Sequence, residues 1–100
     1  MGEIGNAVLL DFIRSTLANQ QFTSHDFIDL FSGHFSAEYE RMVDIYSEYG
    51  DICYRNKMVA NAIGRYLGNH RNNLHIEKIG VQRSKNINGT ISSASVWHQI

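Results

Sequence analysis

The chain contains no proline and one cysteine, Cys53, among its 100 residues. A single thiol closes no internal disulfide and builds no multi-thiolate zinc site, so stability has to come from packing. Long apolar runs are also missing: none approaches the roughly 18–20 residues that cross a bilayer, and the opening residues 1–6 lack the basic region of a secretory signal. The expectation is a cytoplasmic protein with no membrane partner. Charged residues make up 19% of the chain and hydrophobic ones 43%, a balance remote from that of disordered sequences. At this length one domain, residues 1–100, is expected, and it is small for an enzyme with a large pocket of its own.

Positive charge is scarce in the first half. Residues 1–50 hold only Arg14 and Arg41 against eight carboxylates, a net charge of −6, whereas residues 51–100 hold seven basic residues against Asp51 and Glu77, a net charge of +5. A basic half attracts phosphates and is weakened by nearby carboxylates. The alternative is that the two halves pack together and neutralise each other.

Apolar spacing predicts four helices. Ile4, Val8, Phe12, Ile13 and Leu17 mark the first, over about residues 4–19. After a short extended link at Phe22-Thr23, Ser24 is expected to cap a second, with Asp26 in its first turn and Phe27, Leu30 and Phe31 on its buried side. Ser36 is expected to cap a third, with Tyr39, Met42, Val43 and Tyr46 at helical intervals and Gly50 as its stop. The fourth, over residues 53–69, buries Val59, Ile63 and Leu67. Lys57, Asn61 and Arg65 recur at four-residue steps on its other side, aligning three polar donors on one exposed face. From Leu74 the helical period is lost, and two strands joined by an Asn88-Gly89 turn fit residues 74–97.

No chemistry beyond binding is indicated. His70, His75 and His98 lack the spacing that brings imidazoles to one ion, so no metal and no cofactor is expected. Cys53 has no base assigned to it, and Ser92, Ser93 and His98 have no accompanying acid, which leaves an enzyme unsupported. Asp26 and Asp29 are explained by helix-end charge. Asn88-Gly89-Thr90 reads as a turn rather than a glycosylation site. The sequence leaves open whether Trp97 covers the helical layer or stays exposed as a contact residue.

A last long helix with a polar, basic face (Val59 to Leu67), a basic hairpin (Arg83 to Thr90) and a closing Val96-Trp97 resemble a winged helix-turn-helix domain, in particular the small winged-helix modules of phage and prophage replication or regulatory proteins. The resemblance covers residues 36–100. It implies an α+β fold of about four helices followed by a C-terminal β-hairpin wing, with either residues 24–33 or residues 36–49 as the supporting helix. The implied function is non-catalytic binding of double-stranded DNA by a regulator or replication accessory factor. Arg65 and Asn61 would then read bases, because guanidinium and carboxamide groups make two-point contacts with guanine and adenine. Lys57, Arg71, Arg83 and Lys85 would hold phosphates. The apolar start Ile52-Cys53-Tyr54 is unlike a phosphate-contacting helix end and would be buried in the core or a partner. The competing expectation is a protein-interaction module or homodimer that uses the same fold without DNA.

Overall fold

The computed structural model describes residues 1–17 and 20–100. Its elements run α1 (Asn6–Thr16), β1 (Gln21–Thr23), α2 (Ser24–His34), α3 (Ser36–Ile45), α4 (Ile52–Asn69), β2 (Ile76–Lys85) and β3 (Ile91–Gln99). The strands form one antiparallel sheet in the order β1-β3-β2. No helix among the described residues is long and apolar enough to cross a membrane.

The α+β class and the four helices agree with the sequence, but the strands are more than a C-terminal hairpin. Phe22-Thr23, expected as a link, is part of β1, which pairs Phe22 with Trp97 and Thr23 with Val96. Three residues are too few to display strand alternation, and the pairing partner lies more than seventy positions away, so only the tertiary fold makes this segment a strand.

The strand also moves the helix cap. Thr23, not Ser24, caps α2: its Oγ1 accepts from the Asp26 amide at 3.1 Å, and its own amide donates to Asp26 Oδ2 at 2.9 Å. This reciprocal capping box satisfies two otherwise free amides and sets a negative charge at the positive end of the helix. Ser24, one residue on, instead accepts from the Trp97 indole Nε1 at 2.9 Å. Trp97 therefore covers the helical layer and is buried. Thr23→Ala is expected to cost about 1 kcal/mol in urea unfolding, within the usual range for a lost cap.

Other boundaries shift for local reasons. The first helix starts after Gly5, later than its apolar stripe suggests, and the end expected for it, Ala18 and Asn19, lies outside the described residues. Leu9, Phe12 and Ile13 form its buried face, while Val8 is exposed. On α2 the buried set is Phe27, Ile28 and Phe31, and Leu30 turns outward. Phe35, rather than Ser36, occupies the cap position of α3 and gives no side-chain bond. Helix α3 ends at Ile45, well before Gly50, because the chain tightens into three-residue turns, with the Tyr46 amide on Val43 O and the Ser47 amide on Asp44 O. Arg55 then holds the carbonyls of Ser47 and Tyr49.

The core lies where α1, α2 and α4 meet the sheet. Phe12, Phe27, Phe31 and Phe35 form a linked set, with ring centroids 5.7 Å apart for Phe12–Phe27 and 5.2 Å for Phe31–Phe35. Val59, Ile63 and Leu67 are fully buried, as their spacing predicts. Tyr39 closes the side of this core and donates its hydroxyl to Asn56 Oδ1 at 2.9 Å.

Burial raises the Tyr39 hydroxyl above its ordinary value, and Asp29 adds to the rise; burial alone raises that of Tyr66. In the unfolded chain these tyrosines ionise near pH 10. Above that pH the native state holds more protons than the unfolded state, so stability falls as pH rises through the folded values. Urea midpoints compared at pH 8 and pH 10.5 should show this loss, and Tyr39→Phe should reduce it.

Candidate functional site

Helix α4 owes its position to its buried stripe, which turns Ala60 and Gly64 sideways and Lys57, Asn61 and Arg65 outward. Beside it the hairpin β2–β3 curls back. Gly89, with φ of 82°, makes the turn, and Asn86 organises it by accepting from the amides of Asn88 at 3.0 Å and Thr90 at 3.2 Å. The tip is fastened to the start of α4: Asn88 Nδ2 donates to Cys53 O at 2.7 Å, and Asn56 Nδ2 donates to Asn88 Oδ1 at 3.2 Å. Asn56 also receives the Tyr39 hydroxyl, so α3, α4 and the hairpin share one bonded chain.

Between α4 and the hairpin lies a cleft of about 620 Å³. Its floor is the first turns of α2, where buried His25 pairs through Nδ1 with Ser84 Oγ at 2.6 Å and through Nε2 with Ser92 Oγ at 3.5 Å. Ile28, Ala60, Ile87 and Ala94 give the cleft an apolar lining, and Lys57, Asn61 and Arg65 lie along its α4 wall; Ser93 and Ser95 are in the β3 wall, but their side chains share the outer face with their cross-strand partners Arg83 and Val81. No described residue lining it is acidic. Helix α2 keeps its carboxylates elsewhere: Asp26 and Asp29 line a separate depression with Phe22 and Leu30. There burial raises the Asp29 carboxyl above its ordinary range, with Asp26 adding and His25 opposing.

The two halves do not neutralise each other through ion pairs. Among the described residues both ion pairs belong to Arg41, which meets Glu38 at 2.9 Å and Glu3 at 3.7 Å, all within the first half. Among the described residues, no basic side chain of the second half is in an ion pair with a carboxylate.

The six residues singled out in the sequence fall into three places. Lys57, Asn61 and Arg65 line the cleft together. Arg71 lies beyond the end of α4, where its guanidinium donates to Gly68 O at 2.6 Å and so caps the helix. Arg83 and Lys85 flank Ser84 on β2. Because Ser84 turns in toward His25, strand alternation sends both cations to the outer face of the hairpin, away from the cleft. The residues Ile52, Cys53 and Tyr54 are exposed, so they are not buried in the core.

His25 and Gly64 escaped sequence reasoning, and Ser92 and Ser93 entered it only as members of an unsupported triad. Gly64 was the visible signal, since an interior helix position favours alanine over glycine by about 1 kcal/mol. A Cβ built there meets nothing within 4 Å, so no packing in the fold requires the glycine. Gly64→Ala is therefore expected to raise stability by roughly 0.5–1 kcal/mol, read as a higher urea midpoint at unchanged slope.

No protein-family model, curated protein or solved structure matches this chain.

Proposed function

We propose that this chain is a winged-helix-type domain that binds double-stranded DNA without catalysis, with α4 as the recognition helix and β2–β3 as the wing. The order helix, strand, helices, two strands, with the first strand beside the last, is compatible with that arrangement. The observation that carries the reading is the exposed face of Lys57, Asn61 and Arg65, beside a hairpin and along a cleft in which no described lining residue is acidic. An α-helix fits the major groove, where Arg65 and Asn61 have the donors to discriminate guanine and adenine, and Lys57 supplies a phosphate contact. Arg83 and Lys85, on the outer side of the wing, would meet a flanking phosphate strand rather than the bases. A regulator or a replication accessory factor would both use such a module.

Fluorescence anisotropy with a labelled duplex across a salt series tests this reading. Each phosphate neutralised contributes about −0.9 to the slope of log K against log salt. The reading requires binding that weakens steeply with salt; affinity indifferent to salt, or none at 50 mM, rejects it.

A second reading, a protein-interaction module or homodimer, is supported by one specific feature. Tyr49 and Tyr54 are exposed with their rings 4.9 Å apart where α3 passes into α4, and Ile45 and Ile52, close to them in sequence, are exposed as well. Exposed apolar groups gathered in one place mark contact surfaces more often than scattered ones do. Sedimentation of the protein alone separates the readings: a dimer that dissociates on Ile52→Asp, in a protein that ignores DNA, favours the second.

A further inference from the structure

The cleft has features that contact with a duplex surface does not require. It is enclosed on three sides by α4, the hairpin and α2, and its volume of about 620 Å³ lies in the range of small-ligand sites. Ile28, Ala60, Ile87 and Ala94 make part of its lining apolar, its floor holds His25 and Ser92, and Lys57, Asn61 and Arg65 supply donors along α4. The side chains of Lys57, Asn61 and Arg65 make no hydrogen bond to any described residue, so these groups remain free for a ligand. Gly64 stands in the middle of the α4 wall with open space where its Cβ would be, which permits close approach to the helix backbone. The two cations are eight residues apart on α4, about 12 Å along its axis, too far for one phosphate to meet both unless the two side chains bend inward.

We propose that the cleft binds a small, elongated organic bisphosphate with a phosphate at each end, one held by Lys57 and one by Arg65, with its middle lying over Gly64. Each phosphate, with a charge of about −1.5 to −2 and three terminal oxygens, meets one cation and keeps acceptors for the Asn61 amide. Ile28, Ala60 and Ala94 receive the apolar spacer. This inference goes beyond DNA binding and does not depend on it, although a ligand held there would occupy the same cations that the duplex reading uses.

The test is calorimetric titration of the whole chain, without nucleic acid, at fixed ionic strength. The probes are the bisphosphate of a six-carbon linear diol and inorganic phosphate. The bisphosphate is expected to bind at least about tenfold more tightly than phosphate, since holding one end raises the effective concentration of the other. Lys57→Ala and Arg65→Ala should each reduce it to the level of phosphate. Gly64→Leu should abolish binding with every charge in place, and its melting temperature shows that it remains folded; should it fail to fold, Gly64→Ala is expected to weaken binding measurably. Equal affinity for the two probes overturns the proposal, as does undiminished binding in a folded Gly64 variant. A chain that holds the bisphosphate and no duplex would reject DNA binding alone, and the converse would reject the ligand site alone.

Discussion

Replacing Lys57 and Arg65 together by alanine is expected to lower duplex affinity on the order of a hundredfold. An arginine with two-point contact to guanine contributes about 1–3 kcal/mol of discrimination, and a lysine on phosphate contributes about one unit of salt slope. The variant should thus lose both affinity and sequence preference. The pair Arg83→Ala and Lys85→Ala, on the outer face of β2, is expected to cost less and to leave preference intact, because phosphate contacts carry no sequence information. Anisotropy with two duplexes of different sequence reads both quantities. Both positions on α4 are exposed, so folding should be unaffected. A larger loss from the β2 pair would move the interface off α4 and onto the outer side of the sheet.

The largest effect on stability is expected from Phe31→Ala. The ring is fully buried between Phe27 and Phe35, at centroid distances of 5.8 and 5.2 Å. Truncating a buried phenylalanine costs about 3–5 kcal/mol through lost transfer energy and the cavity left behind. A domain of this size commonly has about 5–15 kcal/mol in total, so much of its margin would disappear. At about 4–8 °C per kcal/mol the melting temperature should drop by well over 10 °C. Leu30→Ala is the informative partner. Its spacing from Phe27 suggests the same buried side, yet it is 39% exposed, and the change is expected to stay within about 0.5 kcal/mol. Urea unfolding of the two variants tests the rotation of α2 directly: comparable losses would mean that Leu30 belongs to the core.

Where a segment's structure depends on its own periodicity, the sequence is readable. Val59, Ile63 and Leu67 recur every four residues, and all three are fully buried in α4. Asn88-Gly89 announces a turn because Gly89 adopts a φ that other residues resist. Segments decided by distant partners are not readable in this way. Gln21–Thr23 becomes a strand through β3, and that pairing selects between two adjacent hydroxyl residues for the cap of α2. The Thr23–Asp26 spacing was present in the sequence, but Ser24 offered an equally plausible cap until Trp97 claimed its hydroxyl.

The site divides along the same line. Four-residue steps placed Lys57, Asn61 and Arg65 on one face of a helix, and they do line one cleft. The opposite wall comes from residues 86–95, and no local pattern shows that Asn88 folds back onto Cys53. Arg83 and Lys85 looked equivalent to the helix cations in composition. Their outward direction follows from Ser84 turning toward His25, and the register is further obscured by the bulge between Lys78 and Gly80.

The most direct test of the α4 face as the nucleic-acid surface is a ¹H–¹⁵N NMR titration of the protein with duplex DNA at low salt. The account predicts that the largest amide shifts fall on residues 57–65 of α4 and on the hairpin tip around Asn86 to Thr90. Shifts concentrated instead on Ile45 to Tyr54, on the outer face of β2, or nowhere in the chain would contradict it.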